Sequence, residues 1–167
     1  MILATHAVIG AAVASAFPQH PVVAFCFAFA SHFVFDAIPH WHYPVASIHH
    51  DRENPMNNDM VIGTQFVGDL AKIACDALLG IAISLVAFGL LVHIPLPLIL
   101  LGAVGGIVPD TLQFAYWKFR HEPIKSLQRL HVWVHAKTTL DQRPFIGIAS
   151  QVGIALLAIV AGLLIAV

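Results

Sequence analysis

Long apolar runs, interrupted by short polar stretches, dominate the pattern of hydrophobic and polar positions along this chain. Five runs stand out, at residues 2–17, 22–38, 61–94, 98–117 and 145–167. A helix needs about 20 apolar residues to cross a bilayer, and most of these runs approach or exceed that length. We therefore predict an all-α fold: a polytopic membrane helical bundle of about five spans, forming a single transmembrane domain over residues 1–167.

The polar connection at residues 118–143 contains a further predicted helix. Its apolar residues recur at helical spacing, at Ile124, Leu127, Leu130 and Val134. Six of the eight Lys and Arg residues of the chain lie in this connection. We expect an amphipathic helix at the membrane interface. Because short basic loops stay in the cytoplasm, we place this connection on the cytoplasmic face of the inner cell membrane.

Composition agrees with an integral membrane protein and excludes one class of partner. The chain is 59% hydrophobic and only 10% charged, whereas an ordinary soluble domain is about 25% charged. Its formal net charge is −1, so no overall positive field attracts nucleic acid. Membrane lipids are the expected partner, and the sequence leaves the oligomeric state open.

Ionisable residues within or beside the apolar runs are the most informative feature of the sequence, because such groups are costly at membrane depth. His32 and Asp36 lie one helical turn apart, and His40 follows Pro39. His131 and His135 form a second pair with the same spacing. Imidazoles and carboxylates at such spacing are typical metal ligands. The candidate metal ligands are His6, His32, Asp36, His40, Asp110, His131 and His135.

These candidates sort to one side of the predicted bundle, which favours one shared site facing the cytoplasm. Simpler interpretations remain open for each of them. His32 and Asp36 can form a hydrogen bond that ties two spans together, and His131 and His135 can be interfacial residues flanking Trp133. His42 is interpreted as a solvated neighbour of an interfacial tryptophan.

Asp76 and Lys72 are the candidate catalytic residues. Both lie in the third apolar run, four residues apart on one helix face. Asp76 is a candidate general base or metal ligand. The alternative is that the two residues form an ion pair and neutralise each other.

Three short motifs resemble those of a known family. They are Thr5-His6 with Gly10, Ser31-His32 with Asp36-Ala37, and Gly106 with Pro109-Asp110. The chain is similar in these pieces to the membrane-bound metal-dependent hydrolases, also described as LexA-binding, inner-membrane-associated hydrolases. The resemblance implies hydrolase activity and implies His6, His32, Asp36 and Asp110 as site residues.

The sequence therefore predicts a metal-dependent membrane hydrolase. One or two divalent ions, zinc by ligand type, would act on a phosphoester or another lipid-linked substrate at the cytoplasmic membrane boundary. Two alternatives remain: a metal or proton transporter, and a non-catalytic membrane scaffold or partner subunit whose polar residues hold helices together.

Overall fold

The computed structural model describes residues 1–166, which form six α-helices and very little strand. The helices are α1 (Leu3–Ser15), α2 (Pro21–Asp36), α3 (Thr64–Ser84), α4 (Leu96–Phe119), α5 (Ile124–Val134) and α6 (Pro144–Ala166). A π-helical segment, Leu85–Leu90, extends α3. Between α2 and α3, the strands β1 (Ile48–His49) and β2 (Asp59–Met60) pair antiparallel around a 3₁₀ turn at Pro55–Asn57. The predicted all-α class is confirmed.

The predicted number of spans is wrong. Three helices are long and apolar enough to cross a membrane, at Thr64–Leu90, Leu96–Phe119 and Pro144–Ile165. The two other apolar helices, α1 and α2, have only 13 and 16 residues. At a rise of about 1.5 Å per residue they reach roughly 20 and 24 Å, which is short of a hydrocarbon core of about 30 Å.

Helix α1 is the centre of the bundle. Every residue of α1 except Val13 is buried, and the helix contacts α2, α3, α4 and α6. A helix that is apolar all round is a buried helix, whether protein or lipid surrounds it. Here the neighbours are other helices, and this explains why the run at residues 2–17 resembles a span in sequence.

Glycines let α1 and α4 pack backbone against backbone. A Cβ atom added to Gly10 would lie 2.2 Å from the carbonyl oxygen of Gly102, and one added to Gly106 would lie 2.2 Å from that of His6. Small residues four apart allow this close approach of helices in membrane proteins. The contact fixes α1, which carries His6, against the part of α4 that precedes Asp110.

Two carboxylates of α3 hold polar connections in place. The Asp76 carboxylate accepts hydrogen bonds from the backbone N–H groups of Leu3 and Ala4, at 2.7 and 3.2 Å, and so caps the start of α1. Asp69 accepts hydrogen bonds from the backbone N–H and the hydroxyl of Ser47, at 2.7 and 2.8 Å. The connection from α2 to α3 is thereby anchored beside the start of α1.

The chain after α5 runs alongside the end of α2. The backbone N–H of Ala136 donates to the carbonyl of Asp36 at 2.8 Å, and that of Leu140 donates to the carbonyl of His40 at 2.9 Å. These bonds bring the histidines of α5 against the last turn of α2.

We expect Gly10→Ala to destabilise the bundle by about 1–3 kcal/mol, because the added methyl group overlaps the backbone of α4. Gly153→Ala is the matched control, since a Cβ atom at Gly153 meets nothing within 4 Å. Thermal unfolding of both variants in the same detergent measures the difference. Equal melting temperatures for the two variants would contradict the close α1–α4 contact.

Candidate metal centre

Four predicted ligand residues converge at the end of α2. One ligand atom each from His32, Asp36, Asp110 and His131 lies within 4.8 Å of the others. We call these residues the first ligand group. Three helices supply them: α2 supplies His32 and Asp36, α4 supplies Asp110, and α5 supplies His131. The predicted convergence of these four residues on one point is therefore observed.

Asp36 occupies the middle of the first ligand group. Its Oδ2 atom lies 3.1 Å from Nε2 of His32 and 3.0 Å from Nε2 of His131. Asp110 is more distant, with Oδ1 3.6 Å from His32 Nε2 and 3.8 Å from His131 Nε2. The side chain of Asp36 is 2% exposed, whereas that of Asp110 is 29% exposed. Asp110 is thus the member of the group that solvent or a ligand can reach.

The hydrogen bond of His32 to α4 determines which ring nitrogen faces the group. Nδ1 of His32 donates to the carbonyl of Gly106 at 2.8 Å. A carbonyl can only accept, so Nδ1 of His32 carries a proton. Nε2 is then the ring nitrogen that faces the carboxylates of Asp36 and Asp110. Histidine ligands of metals are commonly oriented by such a second hydrogen bond.

Three further histidines form a second ligand group beside the first. One ligand atom each from His40, His42 and His135 lies within 4.8 Å of the others. The rings of His40 and His135 have centroids 4.9 Å apart, and those of His42 and His135 are stacked at 5.6 Å. Asp36 connects the two groups, since its Oδ1 atom lies 3.8 Å from His40 Nε2.

Each Nδ1 atom of the second group donates a hydrogen bond to a carbonyl or carboxylate oxygen. His40 donates to the carbonyl of Ile38 at 2.6 Å, His42 to Asp141 Oδ1 at 3.1 Å, and His135 to the carbonyl of Ala136 at 3.1 Å. The Nε2 atoms of His40 and His42 then face each other as two lone pairs, only 2.9 Å apart. The Met1 amine, 2.7 Å from His40 Nε2, is the cation beside this pair, and a metal ion bound by the second group would take its place.

These histidines are neutral at physiological pH. Burial and the nearby Met1 amine lower the pKa of His40 to about 3. Burial, followed by the Met1 amine, also lowers the pKa of His42, and burial is the main cause of the lowered pKa of His135. A neutral imidazole is the form that binds a metal, so protons compete weakly for this group.

A positive charge already lies between the two groups. The amine nitrogen of Met1 lies 2.7 Å from Asp36 Oδ1 and 2.7 Å from His40 Nε2. The charge of the surroundings explains this placement, because two carboxylates and several neutral imidazoles have a net negative charge. A divalent cation at the first group would be balanced by Asp36 and Asp110 together.

His6 contacts His32 and Asp36 but belongs to neither ligand group. Its ring stacks on His32 with centroids 3.8 Å apart, and its Nε2 atom lies 3.0 Å from Asp36 Oδ1. Its Nδ1 atom is buried without a hydrogen-bond partner within residues 1–166. This arrangement suits a residue that orients Asp36, and a role of His6 as a direct ligand stays a prediction.

The structure places Asp76 and Lys72 outside both ligand groups. Asp76 caps α1, and Lys72 is 54% exposed and pairs with Asp69 at 2.8 Å. The Asp76 carboxylate therefore lies beside the start of the chain, where it bonds to the backbone of Leu3 and Ala4, and it belongs to neither ligand group. Burial, together with the charge of Asp76, raises the pKa of Tyr43 above its ordinary value. The catalytic role of Asp76 and Lys72 stays a prediction.

Sequence reasoning missed His42 and Asp141. His40 and His42 flank Trp41 in an extended segment, where side chains two residues apart lie on the same face. That spacing is the signal that would have joined His42 to His40. Asp141 binds both the backbone N–H and the ring of His42, at 2.8 and 3.1 Å. It is 99 residues away in sequence, and no local pattern identifies it.

Two adjoining cavities, which share several lining residues, border the ligand groups. The inner one, of about 320 Å³, is lined by Asp36, Asp110, His42, His131 and His135 at its polar end. The outer one, of about 880 Å³, shares His42, His131 and His135 and adds Lys137 and Asp141. Both volumes are in the range of ligand pockets, about 300–1,000 Å³. The ligand groups therefore lie in the wall of a space that a small molecule can enter.

The chain matches no protein-family model, no curated protein and no solved structure. The class that its own residues define is an α-helical protein with three membrane-length helices and two adjoining His/Asp groups that can hold metal ions.

We expect purified protein to bind divalent metal stoichiometrically, and His131→Ala and Asp110→Ala to lose the ion of the first group. His20→Ala is the control, since His20 is exposed in the turn before α2 and belongs to neither group. Elemental analysis at known protein concentration measures the content. Equal metal content in all three variants, each eluting as a folded species, would contradict the assignment.

The second group predicts a separate ion. We expect His42→Ala to lower the metal content from two ions per chain to one while the first group stays occupied. Asp141→Asn should weaken binding at the second group by roughly 10–100-fold, because the orienting carboxylate of His42 is lost. A His42→Ala protein that keeps both ions would rule out the second site.

Proposed function

We propose that this protein is a metal-dependent hydrolase of the membrane boundary that cleaves a phosphoester. The observation that carries the proposal is the convergence of two His/Asp groups, joined by Asp36, on the wall of a cavity. The resemblance of the short motifs around His6, His32 and Asp110 to the membrane-bound metal-dependent hydrolases points in the same direction.

The donor atoms fit two divalent ions, and we propose zinc. The first group offers two imidazoles and two carboxylates, and the second offers three imidazoles, a set that leaves a coordination position open. Ions held there would lower the pKa of a water molecule and stabilise the oxygen that leaves the phosphoester. Zinc binds readily to imidazole and carboxylate ligands without thiolate. Manganese and iron also accept such ligands, but the high proportion of imidazoles favours zinc.

Each residue of the site has a distinct part in this proposal. Asp36 contacts members of both groups through its two carboxylate oxygens, and His6 orients Asp36 through a hydrogen bond. Asp110 accepts no hydrogen bond from residues 1–166 and is the most exposed member of the first group. We assign to Asp110 the role of the ligand of the first ion on the side of the cavity, since its carboxylate borders the cavity.

Lys137 is the basic residue best placed for an anionic substrate. Two other cations of the predicted basic stretch are already engaged: Lys118 pairs with Asp59 at 2.7 Å, and Arg120 donates to the carbonyl of Met56 at 2.7 Å. Lys137 is exposed and lines the outer cavity together with His131. It can therefore attract a phosphate group towards the ligand groups.

We expect metal-loaded protein in detergent to hydrolyse bis(p-nitrophenyl) phosphate, a phosphodiester that releases a coloured product. Asp110→Asn should reduce kcat/KM by at least about 100-fold, because it removes a charged group beside the reacting atoms. Chelation should abolish turnover, and added zinc should restore it. His20→Ala is the control for nonspecific loss.

Two results would contradict hydrolysis. Protein that holds its metal but turns over no phosphoester would favour a scaffold. Movement of the metal across proteoliposomes, at a rate lowered by Asp110→Asn, would favour a transporter.

A further inference from the structure

The inner cavity has an apolar part that the ligand groups do not explain. Away from Asp36 and Asp110 it is lined by Phe66, Leu70 and Ile73 of α3 and by Phe114 and Trp117 of α4. A metal centre for a small soluble ester needs no such wall, whereas a hydrocarbon chain does.

The rim of this cavity lies between two membrane-length helices. Leu70 of α3 lines the cavity and is 49% exposed, and Thr111 of α4 lines it and is also exposed. Both residues belong to helices long and apolar enough to cross a bilayer. Exposed residues of both helices thus border the inner cavity, whereas Lys137 and Asp141 border the outer cavity.

Trp117 marks the junction of the two cavities. It lines both of them, and its indole N–H is buried with no acceptor within residues 1–166. A molecule that extends from the apolar part of the inner cavity to the ligand groups would therefore contact Trp117.

We propose that the substrate is a membrane-resident alkyl phosphate ester that enters between α3 and α4. Its hydrocarbon chain occupies the apolar part of the inner cavity along Leu70 and Ile73, and its phosphate lies at Asp110 and the histidines. This inference rests on the proposed function, because the phosphate is held by the ions of the two ligand groups. The apolar wall would recognise the hydrocarbon chain of the substrate, and the two ligand groups would recognise its phosphate.

Fluorescence of Trp117 tests the proposal directly. In a Trp41→Phe/Trp133→Phe background it is the sole tryptophan of the chain. ω-Bromooctyl phosphate should quench its emission saturably in metal-loaded protein. Octyl phosphate should displace the quencher at far lower concentration than ethyl phosphate, by about fourfold for each additional CH₂ group that is buried. Inorganic phosphate should compete no better than ethyl phosphate.

Cavity-filling variants separate this site from general partition into micelles. Leu70→Phe and, at a less exposed position of the same wall, Ile73→Phe should each weaken displacement by octyl phosphate at least tenfold. Leu79→Phe is the matched control on the same helix, since Leu79 is 56% exposed and lines neither cavity. Metal content measured in every variant shows that the ligand groups remain intact.

Two outcomes would overturn the inference. Equal competition by octyl and ethyl phosphate in metal-loaded protein would show that the protein does not bind the alkyl chain. Unchanged octyl phosphate binding in both Leu70→Phe and Ile73→Phe would show that the alkyl chain is bound elsewhere. Protein that holds no metal would instead refute the proposed function, and the metal measurement distinguishes this failure from the other two.

Discussion

The buried carboxylate of Asp36 is the interaction on which the rest of the site depends. A carboxylate that is almost entirely shielded among apolar helices must be compensated by hydrogen bonds or by positive charge. His6, His32, His131 and the Met1 amine all lie within 3.1 Å of its two oxygens. Because these groups come from four parts of the chain, the requirement to compensate one charge brings α1, α2 and α5 to the same point.

The packing of α1 and α4 makes this arrangement possible. Gly10 and Gly106 bring the two backbones into contact, and the carbonyl of Gly106 then accepts the hydrogen bond that orients His32. One close helix contact thus holds α1 against α4 and also fixes the ring nitrogen of His32 that faces Asp110. The hydrogen bonds accepted by Asp69 and Asp76 also contribute, since they hold the α2–α3 connection and the start of α1 beside the site.

Local patterns in the sequence were sufficient for part of this account. The i, i+4 spacing of His32 and Asp36, and the cost of a charge such as Asp110 in an apolar run, predicted which residues would converge. The number of spans was not predictable in the same way, because an alanine-rich run has the same hydropathy whether helices or lipids surround it. His42 depends on Asp141, 99 residues away, and only tertiary structure reveals such a partner.

An anomalous-scattering map from crystals of the zinc-loaded protein, recorded at the zinc absorption edge, locates the bound ions directly. We expect one peak within coordination distance, about 2.0–2.2 Å, of donor atoms of His32, Asp36, Asp110 and His131, and a second peak among His40, His42 and His135. A map with zinc bound only at other residues, or with no peak at either group, would contradict this expectation.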